Sequence, residues 1–204
     1  EQAIELGLEV VKFFPAEQAG GLAYIKAIAA PYSAMKFMPT GGINENNLNT
    51  YLSFPKVVCC GGSWIVPDNL IKAGKWEEIT ALCRAAVNKM LGFTVAHVGI
   101  NCDEEGEAKA TTEKFAKMFG WEQKVGNSSV FAGSFIECMK TPYRGAKGHI
   151  AVATNSVRRA VYQLSHMGIE VDMDTAKYDA GGRMIVVYLK DEFSGFAVHL
   201  VEKK

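Results

Sequence analysis

Near residue 91 this chain changes its pattern, and that change limits the fold more than any other feature. Residues 1–90 alternate short apolar runs with helical segments. Strands are predicted near 8–14, 35–38 and 56–60, and helices near 19–29, 45–53 and 75–90, with Asn44 as candidate N-cap of the second helix. Apolar strands alternating with helices predict a parallel sheet covered by helices. Residues 93–204 instead run strand, helix, three strands, and then repeat that order. The first module has a strand at 94–101, a helix at 104–119 ended by Gly120, and strands near 121–126, 129–133 and 134–140. Ala108, Phe115, Met118 and Phe119 should form that helix's apolar face. The second module has a strand at 148–154, a helix at 156–167 capped by Asn155, and strands near 170–179, 183–190 and 195–203. Val157, Ala160, Val161 and Leu164 recur at i, i+3, i+4, i+7, one face of a helix. The expected architecture is therefore an α/β part, 1–91, followed at Leu91-Gly92 by an α+β domain of two βαβββ modules, 92–204. A length of 204 residues accommodates two domains of about 100 each.

Composition removes several functional classes. The 22 basic and 22 acidic residues balance, so neither nucleic acid nor an anionic membrane surface is an expected partner. No apolar run approaches the ~20 residues that span a bilayer. The five cysteines, at 59, 60, 83, 102 and 138, are odd in number and lack CxxC spacing, which fits free thiols in a reducing, cytoplasmic setting. The chain opens Glu1-Gln2-Ala3-Ile4-Glu5-Leu6-Gly7 without Met, in what reads as the last turns of a helix with Gly7 just past its end. An upstream segment is expected from that opening.

Chemistry in the first part centres on Lys12, in Val10-Val11-Lys12-Phe13-Phe14-Pro15-Ala16-Glu17. Withdrawing water from a lysine disfavours its ammonium form and frees a nucleophilic amine, the requirement for a Schiff base. Two later strands also end in glycine: Met38-Pro39-Thr40-Gly41-Gly42-Ile43 and Cys59-Cys60-Gly61-Gly62-Ser63-Trp64. Glycines there let backbone N–H groups approach anionic oxygens, and strand-to-helix loops add the positive end of a helix. Alone, Lys12 reads equally as an exposed strand-end lysine, and paired glycines as turns.

Taken in order, VKFFPAE, MPTGGI and GGSWIVP resemble the carboxy-terminal part of the 2-keto-3-deoxy-6-phosphogluconate / 4-hydroxy-2-oxoglutarate aldolases, class I enzymes on a (β/α)8 barrel. The resemblance implies a partial (β/α)8 barrel, its last three βα units, and a small anionic 2-keto acid substrate with no cofactor. It implies that Lys12 forms the Schiff base and that Phe14 lines the pyruvyl pocket. Thr40, Gly41, Gly42, Gly62 and Ser63 match positions that hold substrate carboxylate or phosphate. The family's acid/base carboxylate lies upstream of the matching region. Glu17 is the nearest acid, at a helix start. Little aldolase turnover is expected from this chain alone.

The repeated βαβββ order resembles the vicinal oxygen chelate (glyoxalase / bleomycin-resistance) superfamily, which places metal ligands on the first and last strands of each module. That resemblance implies a ligand set of His97, Glu137, His149 and His199. A catalytic member more often has Glu where His199 stands. Imidazole-rich sites suit Zn, Ni, Fe or Co, and Glu137 would be the one carboxylate able to move a proton. Three histidines in the core of a metal-free binding module are the alternative. His166, near a helix end, is expected to interact with that terminus. The basic loop Tyr143-Arg144-Gly145-Ala146-Lys147-Gly148 between the modules could reach an anionic substrate, but reads first as a solvated crossover. A metal-dependent isomerase, lyase or oxygenase, or a non-catalytic assembly module, are the competing functions. Unpaired strand edges near 8–14 predict a homo-oligomer.

Overall fold

A computed structural model describes residues 1–203, which divide into two compact units, Glu1–Met90 and the remainder from Leu91. In the first, helix α1 (Gln2–Glu5) is followed by strand β1 (Val10–Phe13), helix α2 (Gly21–Ala29), strand β2 (Lys36–Pro39) and helix α3 (Leu48–Leu52). A 3-10 turn at Ser63–Ile65, helix α4 (Asp68–Lys72) and helix α5 (Trp76–Leu91) complete the order. Strands β1 and β2 pair in parallel, Lys12 opposite Met38 and Phe13 opposite Pro39. Gly7, at φ +71°, follows α1 and donates to the Ile4 carbonyl, the helix exit its sequence predicts.

The expected third strand, 56–60, is not a strand. It meets β2 in one isolated bridge, Phe37 to Val57, and a second, Thr40 to Gly61, joins the residues just past each. The segment is short and leaves the ladder at Cys59 and Cys60, so no continuous run of hydrogen bonds builds. The sheet is also less enclosed than its apolar sequence suggests, since Val10 and Lys12 on one side of β1 are exposed. The core lies on the other side, where Ile25, Ala29, Met35, Phe37, Ile43, Leu48, Tyr51 and Val57 are buried together. Asn47, not Asn44, is the N-cap of α3. Asn44 instead begins the turn before it, its amide donating to Asn47 Oδ1 at 2.8 Å.

The second unit is one eight-stranded sheet carrying two helices. Strand β3 (Thr94–Asn101), helix α6 (Glu105–Phe119) and strands β4 (Gln123–Val125), β5 (Ser129–Ala132) and β6 (Ile136–Met139) form the first module. Strand β7 (Gly148–Thr154), helix α7 (Val157–His166) and strands β8 (Val171–Tyr178), β9 (Met184–Phe193) and β10 (Phe196–Glu202) form the second. The strand order is β4-β5-β6-β3-β7-β10-β9-β8. Each module thus places its last strand parallel to its first, β6 on β3 and β10 on β7. The two first strands meet antiparallel at the centre.

Local details depart from the sequence reading for identifiable reasons. Helix α6 ends at Gly120, φ +68°, as expected. Its buried face, however, is Ala108 and Thr112, while Met118 and Phe119 are exposed. Thr112 tolerates burial because its hydroxyl donates to the Ala108 carbonyl and accepts from Gln123 Nε2. The N-cap of α7 is Ser156, whose Oγ accepts from the Arg159 amide, and not Asn155. Val157 and Ala160 seat that helix on the sheet, both fully buried. All five cysteines are free thiols. Among the described residues no helix is long and apolar enough to cross a membrane.

Candidate functional site

In the first unit the ends of β1 and β2 carry Lys12, Phe14, Thr40, Gly41 and Gly42. Lys12 projects from β1 on the exposed side, its ammonium 5.4 Å from the centre of the Phe14 ring. The loop after β1 is laced to the loop after β2: the Thr40 amide donates to Phe13, Ala16 to Thr40, and Glu17 to Gly41. Those contacts leave no room for side chains at the glycines. A β-carbon on Gly41 would lie 3.1 Å from the Phe14 ring, and on Gly42 2.5 Å from Glu17 Cγ. On Gly61 it would lie 2.8 Å from Thr40 Oγ1. Thr40 Oγ1 is buried with no hydrogen-bond partner, an orphan hydroxyl just past the end of β2. Gly62 and Ser63 begin the 3-10 turn, Ser63 exposed. Glu17 is structural: its carboxylate accepts the hydroxyl of buried Tyr51, and burial followed by that bond pushes the Tyr51 hydroxyl above its usual range.

The second unit's candidate site is built from two rows of residues across the sheet. Glu137, Gly99 and His149 stand side by side on β6, β3 and β7. One step along, His97, Ala151, His199 and Tyr188 stand side by side on β3, β7, β10 and β9. In each row a small residue on the middle strand lets larger neighbours converge above it. A β-carbon on Gly99 would lie 2.0 Å from His149 Cε1, so the ring occupies the space that glycine leaves. Two of the histidines also follow irregularities: register shifts fall between Val95 and His97 and between Ala197 and His199. Bulges of this kind re-aim a side chain that strict alternation would place elsewhere.

The resulting cluster is tight. Glu137 Oε2 lies 3.0 Å from His149 Nε2 and 3.1 Å from His97 Nε2, and those two nitrogens are 3.2 Å apart. One ring nitrogen from each of His97, His149 and His199 falls within 4.8 Å of the others. Ser129 Oγ donates to Glu137 Oε1 at 2.6 Å and fixes the carboxylate. His149 and His199 are 2% and 8% exposed. Burial, then the neighbouring His149 and His97, pushes His199 down to about 3, so it is a neutral imidazole at pH 7. Burial works to raise Glu137, but hydrogen bonds from His149, His97 and Ser129 outweigh it and hold the carboxyl far below its ordinary range.

This arrangement can hold a divalent cation. Ligand bonds of about 2.0–2.2 Å place adjacent donor atoms roughly 3 Å apart, the spacing among Glu137, His97 and His149. Both ring nitrogens of His199 and Nδ1 of His149 are buried without partners, and such atoms are costly unless something binds them. Gly99, Ala151, Ser129 and Tyr188 escaped the sequence reading. A signal for the first two was present, because each histidine has a small residue two positions away: His97 and Gly99, His149 and Ala151, Ala197 and His199. His166, in the last turn of α7, meets Tyr162 edge-on, ring centres 4.5 Å apart.

The first unit thus sets a strand-end lysine beside glycine-containing loops that follow parallel strands. Residues 1–82 match the model of the KDPG and KHG aldolase family. The 2-dehydro-3-deoxy-phosphogluconate aldolase of Treponema pallidum is 55% identical over 82 residues, 40% of this chain and 39% of its own. The chain thus spans about two fifths of the length of the curated relatives it matches. A Legionella pneumophila KDPG aldolase, solved with pyruvate as a covalent carbinolamine, is 48% identical over 42% of this chain and 41% of its own, TM-score 0.40. The rest of the chain has structural neighbours such as a Streptomyces coelicolor methylmalonyl-CoA epimerase, 18% identical over 54% of this chain and 94% of its own, TM-score 0.38.

Proposed function

We propose that residues 1–90 are the closing part of a class I aldolase barrel, its last three βα units, that cleaves 2-keto-3-deoxy-6-phosphogluconate or 4-hydroxy-2-oxoglutarate. The observation that carries this reading is the placement of Lys12 at the same strand ends as Phe14, Thr40, Gly41 and Gly62, within the segment matching the aldolase family. The Lys12 amine adds to the C2 carbonyl and loses water to give an iminium. The C3–C4 bond then breaks as its electron pair enters the iminium, while the C4 hydroxyl gives up its proton and the aldehyde departs. Protonation of the enamine and hydrolysis release pyruvate and restore the amine. The orphan Thr40 hydroxyl and the loop amides bind the substrate's anionic group.

The group that accepts the C4 proton, and the walls that exclude water from Lys12, come from protein outside residues 1–90. Lys12 is exposed within its own unit, so turnover by this chain alone should fall at least ~10²-fold below that of a complete barrel. The other edge of β1 and the nearby exposed Leu6, Leu8 and Phe14 are the surface that further barrel strands or a second copy would cover. Borohydride added with pyruvate tests the reading. A reduced pyruvyl adduct on the Lys12 peptide is expected, in highest yield when the missing strands are present. A complete barrel that shows no adduct at Lys12 overturns it.

A second reading is favoured by one observation, three clustered histidines, two of them with unpartnered buried nitrogens, beside the Glu137 carboxylate. We propose that His97, Glu137, His149 and His199 hold one divalent ion, with Zn, Ni, Fe or Co suited to the donors. Such an ion would supply Lewis acidity to an oxygen-bearing substrate in an isomerase, lyase or oxygenase. Glu137, held by Ser129, is the residue placed to move a proton. Titration of Zn²⁺ into chelator-treated protein is expected to show one site per chain, weakened at least ~10²-fold in His149→Ala. Equal affinity in that variant sinks the assignment.

A further inference from the structure

The loop between the two modules is exposed at Tyr143, Ala146 and Lys147, as its sequence suggests, yet it is pinned. Asn101 Nδ2 donates to the Gly145 carbonyl at 2.7 Å, and Asn101 Oδ1 accepts the Tyr143 amide at 3.1 Å. Gly145, at φ +78°, is pressed against its surroundings. A β-carbon there would lie 2.0 Å from the Gly148 carbonyl oxygen and 2.5 Å from the Ala197 nitrogen. Arg144 lies between these two pinned residues, so its position is set by the fold. Its guanidinium stands over the Tyr188 ring at 5.4 Å, and that ring lies 4.7 Å from His199 and 6.4 Å from His149. Tyr143 meets Tyr188 edge-on at 6.0 Å.

We propose that Arg144 is a carboxylate-binding residue of the second unit, gripping a small carboxylic acid whose other polar end reaches the cluster of His97, Glu137, His149 and His199. The proposal rests on the reading of that cluster as a ligand-binding centre. Arginine offers five N–H donors in a planar fork that matches a carboxylate. Asp172 already engages Nη2 at 2.9 Å, which shows that a carboxylate fits this position, and Tyr143 takes a further bond. Those partners do not exhaust the fork, and the Arg144 side chain remains 39% exposed. Tyr188, 7% exposed, lies between the cation and the imidazoles. A ligand lying along that ring would meet a positive group at one end and the histidine cluster at the other. A structural ion pair between Arg144 and Asp172 requires neither the stacking on Tyr188 nor the pinned loop.

Malonate is the suitable probe, because it carries carboxylates but no ketone to react with Lys12. Titrated into the isotope-labelled full chain, with and without Zn²⁺, it is expected to shift the Arg144 Nε and the Tyr143 and Gly145 amide resonances saturably. Arg144→Gln should raise the apparent Kd at least ~10-fold while Zn²⁺ stoichiometry stays unchanged, and Arg144→Lys should fall between. Should the glutamine variant not fold, the lysine variant carries the comparison, with weaker binding expected because it keeps the charge but loses the fork. Wild-type affinity in either folded variant overturns the proposal, as does the absence of saturable shifts at the loop in both arms. If Zn²⁺ fails to bind but malonate still depends on Arg144, the metal reading falls and the carboxylate assignment stands.

Discussion

Replacing Lys12 by methionine is expected to lower aldol cleavage by the complete barrel by ~10⁴-fold or more and to leave the folding of residues 1–90 unchanged. Every bond change in the proposed reaction passes through the nitrogen of that side chain, so removing it removes the covalent route and not merely some binding energy. Methionine keeps an unbranched stem of similar length. Among the described residues Lys12 makes no ion pair, and it projects from the exposed side of β1 above the Phe14 ring. Its contribution to packing is therefore small, and surface substitutions of this kind change stability by about 0.5 kcal/mol or less. Single-turnover kinetics alongside thermal melts separate the two effects. A cleavage rate within tenfold of the parent would remove Lys12 from the mechanism. A collapsed melt would show that β1 depends on it structurally.

The second large effect is expected at Gly148, where alanine should destabilise the second unit by roughly 3 kcal/mol or more. Gly148 begins β7 at φ +120°, a conformation that costs an L-residue about 1–3 kcal/mol. The added β-carbon would also lie 2.0 Å from the Gly99 carbonyl oxygen and 2.9 Å from its carbon. Those are backbone atoms of the neighbouring central strand, opposite His149 in the ladder, and cannot rotate aside as a side chain can. Relief requires β3 and β7 to part, at the seam where the modules join, with overpacking costing about 1–3 kcal/mol more. Gly182→Ala is the control: its φ is +76° with nothing within 4 Å, so only backbone strain remains. Urea midpoints with unchanged slopes should fall much further for Gly148→Ala than for Gly182→Ala. Equal losses would mean that the close approach of the two strands contributes nothing.

Much of the second unit was legible in the sequence. Thr94–Asn101 and Gly148–Thr154 begin and end as strands where the apolar runs do, and α6 stops at Gly120. These are local matters: period-2 or period-3.6 burial, and a glycine free to take positive φ. The third strand of the first unit was not legible, because 56–60 has strand composition but too little ladder beside it, and propensity yields to pairing. The caps at Asn47 and Ser156 lay one to three residues from the expected positions, since several polar residues compete and geometry selects among them.

The amino-acid sequence by itself determined the two halves, the order of their elements, the three motifs around Lys12 and the residue types available at His97, Glu137, His149 and His199. Tertiary structure decided how close those residues come and what surrounds them. It placed Gly99 and Ala151 on middle strands so that flanking imidazoles could meet, and it turned His97 and His199 with register shifts. It also pinned Arg144 over Tyr188 through Asn101, forty-two residues from Tyr143 in the chain. Periodicity along a strand tells which face a side chain takes. Pairing between distant strands fixes which neighbours share that face, and the chemistry of the site depends on those neighbours.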